Sequence, residues 1–469
     1  MKGKPIVLIE FNELCPNLLN KWMADGKLQN FKEFYNSSQA FITKADVQDG
    51  LHLEPWIQWY SLHTGLSYQQ HKVFNLTDGP KAGHEDIWDI LSENNLRVAN
   101  FSSMNAKPIQ GEGCVFLPDP WCTTEKPFPS ELNVFHNFVS RTVQEYTNIN
   151  GHKNLRDPII FLTFLLAHGL RIKTSMQIVG QLVSEVTVKR NSSWKRAPLL
   201  DKLQFDIFRY YYHRLRPDFS TFFTNSTAHF QHCYWRHMDP EPFTVKPSVD
   251  EVKRYRGAIL YGYQEMDKLL GEFFKLEAKG AALILATGLS QQPYLKHESK
   301  GGQNFYRLKN LEGMLEELGI SYEMVLPVMA HQFQIRFKDD FETEKAGNIL
   351  KGPKYQGKDV FWFDQNDPKT LSLICQVTTD VPENGKIGNY GSSSRSIEFY
   401  KLFYRLPEMK SGFHHPDGVL WFKTGKHKVY KRKASILDVL PTILNYFDID
   451  PQFSDGFPRL GKDLGIAFE

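Results

Sequence analysis

The chain has 469 residues, 41% hydrophobic and 23% charged, a balance that excludes a disordered protein and describes a globular one. Its length exceeds one ordinary core, so roughly two domains, or one core with insertions, are expected. A net charge of +3 is too small to argue for nucleic acid.

Residues 5–11 form a continuous apolar run, the pattern of a central parallel strand, and its end carries Glu10, Asn12 and Glu13. Helical patterns follow at 16–25 and 29–35, and 40–45 reads as a second strand. Residues 53–65 read as a loop turning into a helix, with Pro55 in its first turn and Gly65 as its stop. Glu54 then falls at a helix N-terminus, where backbone donors favour negative charge. A helix at 85–94 and a strand at 97–101 precede a Pro-rich loop from about residue 111. A long helical region, 130–212, then looks like an insertion or cap. Strand 219–224 leaves through Asn225, Ser226 and Thr227 and presents His229, His232 and His237. Helix 250–274, strand 281–286 and the loop 287–293 come next. Residues 300–412 mix a helix (308–318), a β-like run (331–337) and polar turns. The chain closes with a turn at 413–418, a strand at 419–422 and a helix at 435–447. The basic run Lys426 to Lys433 reads as a solvated hairpin or loop, or as a place that meets phosphates or an acidic surface. The expected division is core at 1–110, helical insertion at 111–215, core at 216–299, α+β insertion at 300–412, and core at 413–469.

Five cysteines, scattered and odd in number, give neither a zinc knuckle nor a disulfide framework. With no signal peptide before residues 5–9, a reducing cytoplasm is the expected location. The most apolar segment, 158–170, is too short to cross a bilayer, so no membrane span is expected.

Ligands of open α/β sheets bind beyond the carboxyl ends of the strands, and polar residues gather there in this sequence. His229, His232, His414 and Glu54 are the candidate catalytic groups, because imidazole exchanges protons near neutral pH and a carboxylate can partner it. Asn12, Gln58, Trp59, Arg236, Gln291 and His415 are the candidate substrate contacts. Glu10, His232 and His414 are the candidate ligands of one divalent metal, with His229 a further candidate.

The order of four segments resembles the alkaline phosphatase superfamily, nearest its type I phosphodiesterase/nucleotide pyrophosphatase branch. They are Glu10 with Gly26-Lys27-Leu28-Gln29-Asn30-Phe31; Trp59-Tyr60-Ser61-Leu62-His63-Thr64-Gly65 with His71; Ala228 to Trp235; and Ile436 to Leu444 with Asp455-Gly456. The resemblance covers about 5–100, 215–290 and 412–465. It implies a three-layer α/β/α sandwich of alkaline phosphatase type, with a helical insertion and a smaller α+β lobe. It also implies two divalent metals on six Asp/His ligands and a Thr, Ser or formylglycine nucleophile. The first aspartate falls on Glu10, and the nucleophile on Pro55 or within one residue of it. One ligand pair falls on Ala228 and His232, the next on Gly288 and Leu289, and the last histidine on His414. The two-metal clamp is therefore not expected to be intact, and a single zinc or manganese, or no metal at all, is.

The expected function is a hydrolase or transferase acting on a phosphate ester or a nucleotide- or sugar-phosphate, with a carbohydrate precursor as the expected substrate. The alternative is a catalytically inactive relative serving as a ligand-binding or scaffold protein. A small phosphorylated or sugar-linked substrate is the expected partner, with no nucleic acid and with room for a homodimer.

Overall fold

The structure, a computed structural model, describes residues 3–47, 50–122, 124–144, 156–187, 192–327, 332–391, 395–406, 408–450 and 453–468. Strand Ile6–Phe11 is buried at every position. Val7, Ile9 and Phe11 enter one apolar cluster, while Ile6 and Leu8 enter another, as the two-residue period of a strand requires. It pairs in parallel with Phe219–Thr224 on one side and Ala282–Ala286 on the other. The full sheet runs Lys428–Val429, Ser38–Lys44, Asp417–Lys423, Ala282–Ala286, Ile6–Phe11, Phe219–Thr224, Val98–Phe101, Val115–Leu117, with Ala434–Ser435 also on Ser38–Lys44. Asp417–Lys423 is antiparallel to both its neighbours.

Helices Pro16–Ala24, Gln29–Asn36, Ala197–Leu215, Ser226–Met238 and Ala258–Glu277 cover the Val7 face. Pro55–Thr64, Ile87–Glu93 and Val439–Tyr446 cover the other. The expected three-layer α/β/α sandwich is the fold found.

Two features differ from the sequence reading. Val115–Leu117 is a strand, parallel to Val98–Phe101, inside the stretch read as loop; three residues are too few to show a period. Helix Ala197–Leu215 packs on the sheet through Phe205, Ile207 and Phe208, so residues 111–215 supply core as well as the outer helices Asn133–Gln144, Arg156–Ala167 and Ile172–Thr187. Residues between Tyr306 and Phe403 have an apolar cluster of their own and two four-stranded sheets. The β-like run there is Phe333–Arg336; residue 331 lies outside the described residues. The basic run supplies the edge strand Lys428–Val429, where lysines guard an open edge against further pairing.

The lobe leaves and rejoins the core through one antiparallel pair, Ser290–Pro293 with Gly412–His415. In that register His414 lies opposite Gln291, which puts both side chains on one face.

Candidate functional site

Past the end of strand Ile6–Phe11 the chain turns sharply. Glu13 adopts φ 62°, a left-handed conformation that costs a non-glycine residue about 1–2 kcal/mol. The turn is held by Glu13 N–H donating to Thr287 O (3.1 Å) and by the Gln231 amide donating to Glu13 O (2.8 Å). It aims a fully buried carboxylate at two imidazoles: Glu13 Oε2 is 3.3 Å from His232 Nε2 and 3.6 Å from His414 Nε2. Strain held in place by its surroundings is typical of functional sites.

Helix Ser226–Met238 starts directly after strand Phe219–Thr224, and His232 stands one turn beyond Ala228 on the same face. The Gln291 amide bridges Ala228 O (3.0 Å) and Glu13 Oε2 (2.5 Å). His232 Nδ1 donates to Gly412 O at 3.2 Å, leaving Nε2 to face Glu13. Gly412 is required there, because a Cβ would lie 2.4 Å from Gln231 O and 2.3 Å from Gln291 Oε1. The rings of His232 and His414 meet edge to face at 5.1 Å.

On its other side, His414 Nδ1 lies 3.5 Å from Glu54 Oε2. Glu54 is the N-cap of helix Pro55–Thr64, yet its side chain makes no capping bond. Beyond Glu54, the Lys410 ammonium sits over the rings of Tyr294, Phe413 and Phe305 at 4.7, 4.9 and 5.9 Å, a cation–π cage.

Burial alone would raise the Glu13 carboxyl, but His414, His232 and the Gln291 amide outweigh it and hold it below the usual value. Burial pushes His414 down to about 4 against the pull of Glu13. Burial also pushes Glu54 up to about 8, with Lys410 opposing and Glu13 adding. Lys410 is lowered by burial, while Glu54 pulls it back up and Lys296 repels it.

Glu13, His232 and His414 offer three ligand atoms within 4.8 Å of one another. They fit a divalent ion chemically, as one carboxylate and two imidazoles, with the His232 Nδ1 on a carbonyl and its Nε2 turned towards Glu13. The Gln291 carbonyl oxygen, buried beside them, has no hydrogen-bond partner among the described residues.

Glu10, expected as a ligand, is engaged elsewhere. Its Oε1 pairs with His63 Nε2 at 2.7 Å and its Oε2 accepts from Ser103 Oγ at 2.7 Å. His229 also stays out of the group, its ring nitrogens 3.8 and 4.0 Å from Cys233 Sγ; burial lowers it to about 4.

The expected substrate contacts mostly serve the interior. The Asn12 amide donates to Glu13 Oε1 (2.8 Å) and Asn225 Oδ1 (2.7 Å), and its oxygen accepts from Trp59 Nε1 (2.7 Å). Trp59 is wholly buried and lies against Gly288, whose Cβ position would be 3.0 Å from the indole. Leu289 packs with Ala45 and Leu53. Apolar groups thus occupy the place where the resemblance implied a second ligand pair. Gln58 Oε1 accepts from Asp46 N–H (2.8 Å) and ties down the preceding loop. Arg236 forks onto Glu298 (2.7 and 3.1 Å) and covers Phe243, so it is committed inside the fold. His415 Nδ1 accepts from Asp417 N–H at 3.1 Å within a turn. Gln291, by contrast, reaches the centre itself.

Sequence reasoning placed Glu13 at a strand end but did not select it, and it passed over His63 and Lys410. The available signal was the Asn12-Glu13 pair, since two polar residues directly after a buried strand mark the turn that carries a site.

No family model matches the chain, and no curated protein matches it. Several solved structures are similar. A variant of alkaline phosphatase PafA is 13% identical, with 98% of each chain covered and a TM-score of 0.46. Phosphonoacetate hydrolase from Sinorhizobium meliloti is 13% identical, with 95% of this chain and 96% of that one covered and a TM-score of 0.41. Murine ectonucleotide pyrophosphatase/phosphodiesterase 5 is 10% identical, with 98% of each chain covered and a TM-score of 0.39. These are likenesses of overall fold at low identity, and no residue role passes from them to this chain.

Proposed function

We propose that the protein is a hydrolase or transferase for a phosphate ester, with a nucleotide- or sugar-linked phosphate as the substrate class, working at a single-metal centre of Glu13, His232 and His414. The observation that carries this reading is the convergence of those three donors on one point, with Glu54 on the far side of His414. A bound zinc or manganese would supply Lewis-acid polarisation of a phosphoryl oxygen.

The chain's own groups divide the remaining work. Glu13 and the two imidazoles hold the centre, and Gln291 fixes the Glu13 carboxylate through its amide. Lys410, with the exposed Lys296 near it, offers positive charge to an anionic substrate. Glu54, whose carboxyl burial raises to about 8, would give a proton to the departing oxygen as the P–O bond breaks. The incoming oxygen would come from water or an acceptor hydroxyl, since Pro55, at or within one residue of where the resemblance puts the nucleophile, has none to offer.

Metal analysis of the purified protein, combined with turnover of nitrophenyl phosphate mono- and diesters, tests the reading. Stoichiometric zinc or manganese and metal-dependent turnover are expected. Glu54→Gln should keep the metal and lower kcat by roughly 10²–10⁴-fold. Protein that binds no divalent metal and turns over neither ester would sink the proposal.

A further inference from the structure

Helix Ile172–Thr187 turns its aliphatic stripe outward. Ile172, Met176, Val179, Val183 and Val186 recur at helical spacing and are 53–81% exposed, whereas the stripe of a globular helix ordinarily faces the core. The preceding helix, Arg156–Ala167, buries Phe161, Phe164 and Leu165 and exposes Ile159 and Leu166 on its other side, both above 65%. Contiguous exposed apolar surface of this kind marks places where proteins meet a partner or a membrane.

Charge decides between the two. Residues 158–170 and 174–184 contain no Asp, Glu, Lys or Arg. Cations lie between and beyond them: from 156 to 216 there are 11 Lys/Arg against four Asp/Glu, in a chain whose total is only +3. Their acidic partners are drawn inward. Glu272 and Glu185 are 10% exposed, while Lys173, Lys275 and Arg196, which they pair with, are 56–68% exposed. Lys173, Lys275 and Arg196 thus present positive charge beside the uncharged aliphatic strip. Two copies of such a face would bring like charges together. An anionic bilayer offers both acyl chains for the strip and headgroups for the cations.

We propose that these two helices seat the protein on an anionic membrane surface, lying in its plane. Among the described residues no helix is long and apolar enough to cross a membrane; the contact is peripheral. The basis is independent of the metal centre.

Flotation of the full chain with vesicles tests this. Binding to phosphatidylcholine vesicles containing phosphatidylglycerol should exceed binding to pure phosphatidylcholine by at least ~10-fold and weaken as salt rises. The combined variant Ile172→Gln, Met176→Gln, Val179→Gln should lose flotation while keeping its metal content and thermal midpoint, since these side chains touch little protein. Lys173→Gln with Lys275→Gln should weaken only the anionic preference. No flotation with either vesicle overturns the proposal. So does a dimer in sedimentation velocity that the triple variant dissociates while vesicle binding stays absent.

Discussion

Two carboxylates leave the same strand three residues apart and meet opposite fates. Glu10 lies under the sheet's end, with one oxygen on His63 and the other on the Ser103 hydroxyl, whose Oγ lies 2.7 Å from Thr221 Oγ1. Glu13, beyond the strand, accepts from the Asn12 and Gln291 amides and faces two imidazole nitrogens at 3.3 and 3.6 Å. Both are buried, so burial does not tell a structural carboxylate from a functional one. The difference lies in the partners. Donors reach both oxygens of each carboxylate, but Glu13 Oε2 also lies within 3.6 Å of two imidazole nitrogens, an arrangement that a cation would complete.

Removing a member of each group should break the comparison in different ways. The largest effect falls on Glu13→Ala, His232→Ala and His414→Ala. Each should lose the metal and with it turnover, read by metal content and steady-state rate, while circular dichroism stays native. His63→Ala should instead cost roughly 3–5 kcal/mol of stability in urea, because it leaves Glu10 charged, buried and half-paired; metal content should not change.

Asp201 adds a third kind of buried carboxyl. It accepts from Ser226 at the head of the His232 helix, and burial raises it to about 7. A raised carboxyl contributes most below its unfolded value near 3.8, and that contribution is lost as pH climbs towards 7. Asp201→Asn should therefore flatten the fall in stability between about pH 4 and 7, by at most roughly 4 kcal/mol, measured as denaturation midpoints across pH. The smallest expected effect belongs to Gln291→Leu, which removes an orienting contact to Glu13. Metal affinity should fall about 10–100-fold, with melting little altered.

The sandwich was legible because its signals are local. A six-residue apolar strand, a proline at a helix start and a glycine at its stop all appeared where the sequence put them. His232 was legible as a histidine shortly after a strand, and His414 through the resemblance; it lies in strand Gly412–His415, just ahead of Asp417–Lys423. Glu10 was mistaken for Glu13 because the choice rests on a left-handed turn and on the donors around each carboxylate, and those come from residues 63, 103, 231 and 287. Trp59, Gln58 and Arg236 look like binding residues by type alone. Their partners, Asn12, Asp46 and Glu298, are fixed only by the tertiary fold. Val115–Leu117 was missed because its order depends on a neighbouring strand rather than on its own pattern.

Gly412 stands opposite Pro293 in the ladder, so the excursion between them ends where it began. Leu308 and Phe403 likewise stand opposite each other, so a tight hairpin could join them and remove the appendage that lies between while Gln291, His414 and the root bearing Lys410 and Glu298 kept their places. The appendage is thus a graft on a finished frame, free to diverge, shrink or be exchanged at a pace of its own.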